Sequence, residues 1–186
     1  MPCTRNIEPH WPDSKAVSQY LTVRDLRPFM LGKEVCQNVA WAYDTLTNAL
    51  GPGSVRISSV RRGVMDTVTG QEGNQGSMHI YGLAIDLAFA KPGAADKLYR
   101  DDRTWAQVMD GLAKIGAGGL GLYDTHVHVD FRTTSRMFYD ERTKRSYNMV
   151  FWDKRTSLTS SAFSLPDWPW YYYAGIAVVI FLLLKR

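Results

Sequence analysis

The segment from Asp124 to Arg132, DTHVHVDFR, sets His126, His128 and Asp130 on alternate positions, with Val127, Val129 and Phe131 between and after them. Successive side chains of a β-strand point to opposite faces. A strand here would therefore carry two imidazoles and a carboxylate on one face and an apolar set on the other. The chain has only four histidines, and a third, His79, stands in SMHIYGLAID, seven positions before Asp86. Residues seven apart cannot share a face of one continuous strand. Gly82 lies between them and permits a bend, so a turn carrying His79 followed by a strand carrying Asp86 can bring both side chains to one point. With His128 this makes two imidazoles and one carboxylate, the donor set of a tetrahedral zinc site with its fourth position left for water. Open sites of this type are catalytic, because zinc draws the pKa of its water towards about 7 and polarises a carbonyl oxygen.

The elements that must position these groups can be read from periodicity. From Leu31 to Leu50, Val35, Val39, Ala42 and Leu46 recur at helical spacing, and Gly51-Pro52-Gly53 stops the helix. SVRISSV reads as a strand, and the Gly-, Asn- and Gln-rich segment after it as a long loop. LAIDLAF, Leu83 to Phe89, has strand length and ends at Lys91-Pro92-Gly93. Trp105, Val108, Met109, Leu112 and Ile115 form a second amphipathic helix, entered through Asp101, Asp102 and Thr104 and closed by GAGGLG. The His-Val-His strand follows, and YNMVFW predicts one more strand. TVRDLRPFM holds at most a helical turn. Uneven alternation with hairpin-length spacing near the end predicts an α+β fold, a mainly antiparallel sheet with flanking helices.

At 186 residues the chain suits one domain. A net charge of +4 favours an anionic surface such as a cell wall or lipid headgroups. With no basic run longer than two residues and no recognition motif, no nucleic acid partner is expected. Two cysteines make no disulfide framework: Cys3 lies in a loose terminus, and Cys36 falls in the helical pattern as a small buried hydrophobe. The N-terminus has no apolar run of a secretory signal. Trp168 to Leu184 carries no charge, begins with a Trp and Tyr cluster and is followed by Lys185 and Arg186. About 17 residues at about 1.5 Å each nearly cover a hydrocarbon core of about 30 Å, and the flanking residues are those of two membrane interfaces. The expected organisation is an N-terminal arm, 1–19, a zinc-site domain, 20–155, a polar linker, 156–167, and one transmembrane helix, 168–184. The charges flanking that helix disagree over its orientation, so membrane sidedness stays open.

The two spaced motifs carry a resemblance. Ser77, His79, Gly82, Ala84 and Asp86 in SxHxxGxAxD, followed by GGLGLYDTHVHVDFR, resemble the M15 metallopeptidases. That family includes D-alanyl-D-alanine carboxypeptidases and murein endopeptidases and shares its fold with the hedgehog signalling domain. The similarity spans roughly Tyr20 to Arg132. It implies a hedgehog/DD-peptidase-like fold, with Zn2+ held by His79, Asp86 and His128. It implies Arg61 as the arginine that faces the substrate's carboxylate or the carbonyl under attack, a task suited to a guanidinium fork. Arg62 is adjacent, and on a strand only one of the two can face the site. Ser77 would orient the loop at His79, and Asp130 would accept an imidazole N–H. The general base departs from the family's glutamate pattern, since that position is Thr125. The first member of a His-x-His pair serves in some branches, which makes His126 the expected base and Asp124 the alternate.

The resemblance thus implies a membrane-anchored zinc peptidase acting on a peptide bond of peptidoglycan, as carboxypeptidase or endopeptidase. With no signal peptide and a C-terminal anchor, it points to a phage lysis or virion-associated enzyme, or to a bacterial tail-anchored wall enzyme. The other reading is a non-catalytic, zinc-stabilised, membrane-tethered binding or structural module, since a fold does not by itself determine activity.

Overall fold

A computed structural model describes residues 3–63, 77–133, 137–140 and 145–148. The Gly-rich stretch 70–76, the linker at 156–167 and the apolar segment 168–184 lie outside the described residues. Among the described residues no helix is long and apolar enough to cross a membrane.

Along the chain, β1 (Asn6–Ile7) precedes a short helix α1 (Val23–Leu26), a 3-10 turn (Arg27–Phe29), β2 (Val35–Cys36) and α2 (Asn38–Leu50). Then come β3 (Val55–Ser59), a second 3-10 turn (Met78–Tyr81) and β4 (Ala84–Phe89). Helices α3 (Ala94–Arg100) and α4 (Asp102–Lys114) lead to β5 (Gly119–Leu122), β6 (His126–Asp130), β7 (Met137–Asp140) and β8 (Arg145–Asn148). The protein is α+β. A two-stranded sheet pairs β1 with β2, and a six-stranded sheet runs β3-β4-β6-β5-β7-β8. Every pairing is antiparallel except that of β5 with β7.

Register decides the two faces of the large sheet. In β4 and β6, Ile85 lies opposite Val129 and Leu87 opposite Val127, while Asp86 lies opposite His128 and Ala84 opposite Asp130. Directly opposed residues share a face. Ile85, Leu87, Val127 and Val129, with Leu120 and Leu122 of β5, are buried in the hydrophobic core. Helix α2 covers β3, β4 and β6, and α4 packs on α2. Val39, Ala42, Leu46 and Leu50 recur every three or four positions on α2, and Val108 and Leu112 stand one turn apart on α4. The apolar burial of one face therefore fixes the opposite face as the one that carries the imidazoles, since a one-residue slip would exchange the two.

The structure corrects several sequence expectations. Residues 3–19 are not an arm outside the domain: Ile7 is fully buried and Val17 nearly so, both in the common core. Asp44, an acid in the middle of α2, is buried because it accepts from Ser18 Oγ at 2.8 Å and from the Gln19 N–H at 2.7 Å, holding this N-terminal segment against the helix. Cys36 is outside the helix and is joined to Cys3 by a disulfide with Cα atoms 5.6 Å apart. The helical spacing of Val35 and Val39 was misleading there. β2 pairs with β1 instead, and the Cys36 N–H donates to the Gly82 carbonyl at 2.9 Å. Gly119, Leu120 and Gly121 of the GAGGLG segment, expected to close a helix, lie instead in the strand Gly119–Leu122.

The disulfide closes a loop across a sequence separation of 33, and its Cys36 is the residue whose N–H donates to the Gly82 carbonyl at the end of the His79 turn. Closing a loop of that size restricts the unfolded chain by about 4 kcal/mol. Cys36→Ser is therefore expected to lower unfolding free energy by about 4 kcal/mol in urea titrations. A reductant should lower the unaltered chain's stability comparably and leave the variant's unchanged.

Candidate metal centre

His79 sits in the 3-10 turn Met78–Tyr81, which ends at Gly82 with φ +68°. A side chain at Gly82 would be strained by that φ, and its Cβ would fall 2.8 Å from the Glu34 carbonyl oxygen and 2.7 Å from Arg61 Nη1. The turn is thus pressed against β2 and the segment before it, and the bend inferred between His79 and Asp86 is present. His79 is 2% exposed. Its Nδ1 lies 2.8 Å from the Val60 carbonyl oxygen, an acceptor only, so Nδ1 carries the hydrogen and Nε2 presents a lone pair.

That lone pair meets two other groups. His79 Nε2 is 3.2 Å from Asp86 Oδ1 and 3.2 Å from His128 Nδ1, and His128 Nδ1 is 2.7 Å from Asp86 Oδ1. On the far side of the His128 ring, Nε2 donates to Asp130 Oδ2 at 3.3 Å. Asp130 is fully buried and also accepts from the Arg132 backbone N–H, Nε and Nη2. A carboxylate so held fixes the His128 ring and its tautomer, as supporting carboxylates do behind metal-bound histidines. Three donor atoms, two nitrogens and one oxygen, therefore face a common point. The ligand edges of a tetrahedral zinc site with bonds of about 2.0–2.1 Å are roughly 3.3 Å. Two of the separations, at 3.2 Å, match that edge and the third, at 2.7 Å, lies inside it, and His79, Asp86 and His128 together could hold a metal ion.

The electrostatics agree. Burial alone would raise the Asp86 carboxyl, but its close contacts with His128, which donates to it, and with His79 outweigh that and hold Asp86 well below the usual carboxylate range. Burial alone would lower His128, but hydrogen bonds to Asp130 and Asp86 push it up to about 9. Asp130 is likewise held near 2, burial being outweighed by His128 and Arg132. In the metal-free protein a proton on His128 Nδ1 thus takes the place of the cation.

The three groups line a cleft of about 450 Å³ together with Arg62, Ser77, Tyr123, His126 and Arg132. His126, two residues from His128 on β6, is half-buried; Thr125 Oγ1 is 2.9 Å from its Nδ1, and the Tyr123 ring stacks on it at 4.2 Å and 5°. Ser77 precedes the His79 turn, its carbonyl accepting from the Ile80 N–H. Asp124 is exposed in the β5–β6 turn and does not line the cleft. Arg61 is directed elsewhere, donating to the Glu34 carbonyl at 2.7 Å, while Arg62 reaches the site and donates to Asp86 Oδ2 at 2.7 Å. The reason is local. β3 has a bulge between Ile57 and Ser59, then ends, so strand alternation does not extend to positions 61 and 62.

Sequence reasoning passed over Arg62 as a site residue, and also Arg132, Tyr123 and the glycines of β5. Arg132 was findable, being two residues beyond Asp130. Gly119 lies opposite Asp130 and Gly121 opposite His128. A Cβ at Gly119 would fall 2.3 Å from Asp130 Oδ2. The glycines are there for space: the acid and imidazole of β6 lean over a strand with no side chains on that face.

Comparison with models of known protein families, with curated proteins and with solved structures finds no match for this chain.

Three outcomes are expected. Zinc must displace the His128 proton, so its affinity, followed by competition with a chromogenic chelator, should rise about tenfold per pH unit up to about 9 and then level off. The metal-free chain runs the other way: the stability contributed by His128 is fully present below its unfolded value of 6.5 and is lost as pH rises through about 9. Gly119→Ala should cost about 1–3 kcal/mol in thermal or urea unfolding, by overpacking against Asp130, and should weaken zinc binding because Asp130 holds His128.

Proposed function

We propose that this protein is a zinc-dependent peptidase of the M15 type, with a hedgehog/DD-peptidase-like fold, acting on a peptide bond of peptidoglycan. The observation that carries the reading is the convergence of His79 Nε2, Asp86 Oδ1 and His128 Nδ1 at an open cleft that also holds His126. The uncharged segment Trp168–Leu184 supports a membrane anchor, and its combination with a wall-degrading activity supports a phage lysis or virion role.

His79, Asp86 and His128 would hold Zn2+, which when bound acts as a Lewis acid and lowers the pKa of water to about 7. His126 would take the proton from the attacking water and return it to the departing amine. It stands about 7 Å along the strand from His128 at the Cα level, a separation one substrate group and one water can span. Stacking on Tyr123 and the Thr125 hydroxyl hold its ring in place. The guanidinium role implied for Arg61 falls to Arg62, which lines the cleft and whose side chain is 58% exposed.

The test is to incubate the full chain with peptidoglycan of defined stem-peptide chemistry and identify released products by mass spectrometry, with and without a chelator. Chelator-sensitive cleavage is expected, and the masses name the bond. His126→Ala should lower turnover by about 10²–10⁴-fold while zinc content stays unchanged. A folded, zinc-loaded chain that cleaves no wall chemotype would instead support the non-catalytic tethered module.

A further inference from the structure

We infer that Arg62 is a positioning residue for the metal centre: by occupying Asp86 Oδ2 it restricts that carboxylate to one-oxygen ligation through Oδ1. The inference rests on the metal-site reading above. Asp86 divides its two oxygens between two tasks. Oδ1 faces the histidines at 2.7 and 3.2 Å, and Oδ2 accepts from Arg62 Nη2 at 2.7 Å. The same residue touches the other side of the constellation, because the Arg62 backbone N–H donates to the His79 carbonyl at 3.3 Å. Its Nε donates to Ser59 Oγ, also at 3.3 Å, which steadies the guanidinium from the end of β3. Arg62 thus adds a tie between the His79 turn and the Asp86 strand, which the short Gly82-Leu83 connection joins along the chain.

The ion pair is asymmetric. The carboxylate is 6% exposed and the arginine side chain 58% exposed. With one partner largely in water the pair contributes little to global stability, so its consequence is geometric. A carboxylate with two free oxygens can chelate through both, which raises coordination number and uses the position a substrate or water needs. A guanidinium on one oxygen prevents this. Partners of this kind behind ligands typically govern metal affinity by about 10–100-fold.

The experiment compares the full chain with Arg62→Met and Arg62→Lys, without peptidoglycan. Zinc affinity is read by chelator competition, and the cobalt(II) form by visible absorption, whose intensity falls as coordination expands beyond four. Arg62→Met is expected to bind zinc about 10–100-fold more weakly and to show a weaker cobalt spectrum, with circular dichroism unchanged. Arg62→Lys should recover part of both, since an ammonium keeps the charge but loses the planar fork. An arginine that only faces substrate would leave affinity and spectrum as in the unaltered chain, and that result overturns the inference. If Arg62→Met does not fold, the lysine variant decides: full zinc affinity with an unchanged cobalt spectrum overturns it equally. If the unaltered chain takes up no zinc, the metal reading itself falls. Unaltered zinc uptake with an indifferent Arg62→Met removes only this inference.

Discussion

Two imidazole lone pairs and a carboxylate oxygen that face one another at 2.7–3.2 Å repel unless a cation lies between them. Everything around the cleft serves to hold them there. The Val60 carbonyl fixes His79 from behind, Asp130 fixes His128, and Arg62 fixes Asp86. Each hydrogen bond points the ligating atom inwards by occupying the group's other polar atom. Removing any one leaves a ring or carboxylate free to turn towards its own neighbours, which would relieve the repulsion and dissolve the site. The proton that His128 keeps up to about 9, beside Asp130 and Asp86, and a divalent cation are alternative answers to the same electrostatic problem.

Supports one layer further out connect this centre to the whole fold. Arg132 binds the fully buried Asp130 through its backbone and side chain, so a negative charge without water has a cation beside it. Gly119 and Gly121 leave space for the acid and imidazole of β6. Arg61, the Glu34 carbonyl and Gly82 interlock behind the His79 turn, and the Cys36 N–H closes the same corner. Through the disulfide to Cys3, the N-terminal segment becomes part of the support for a ligand 43 residues beyond Cys36. That segment is anchored again by Asp44 from the middle of α2.

Much of the site was legible because its signals are local. Alternation along β6 put His126, His128 and Asp130 on one face, and the register with β4 places Asp86 opposite His128. Gly82 signalled the bend that His79 and Asp86 require, and the left-handed φ there is its cause. The amphipathic spacing of α4 was legible to within three residues at its start. Where local signals competed, reading failed. Val35 and Cys36 fit a helical period but pair as a strand with Asn6 and Ile7, because that pairing also satisfies the Gly82 carbonyl. The glycines of GAGGLG have the composition of a helix stop, yet two of them, Gly119 and Gly121, lie in β5, where their lack of side chains is required by the strand beside them.

The amino-acid sequence by itself determined the chemistry: which atoms could ligate, the alternation that separates an apolar face from a polar one, and the α+β class. Those are consequences of residue type and short-range period, which a chain carries in any conformation. The tertiary structure decided which arginine serves the site, whether the cysteines pair, and whether the first residues belong to the domain. Each of these depends on a contact between segments far apart in sequence. Arg62, beyond the end of β3, reaches across to Asp86, and β2 must lie beside β1 before Cys3 can meet Cys36. No periodicity encodes such contacts, because the partner that stabilises each one comes from another part of the chain.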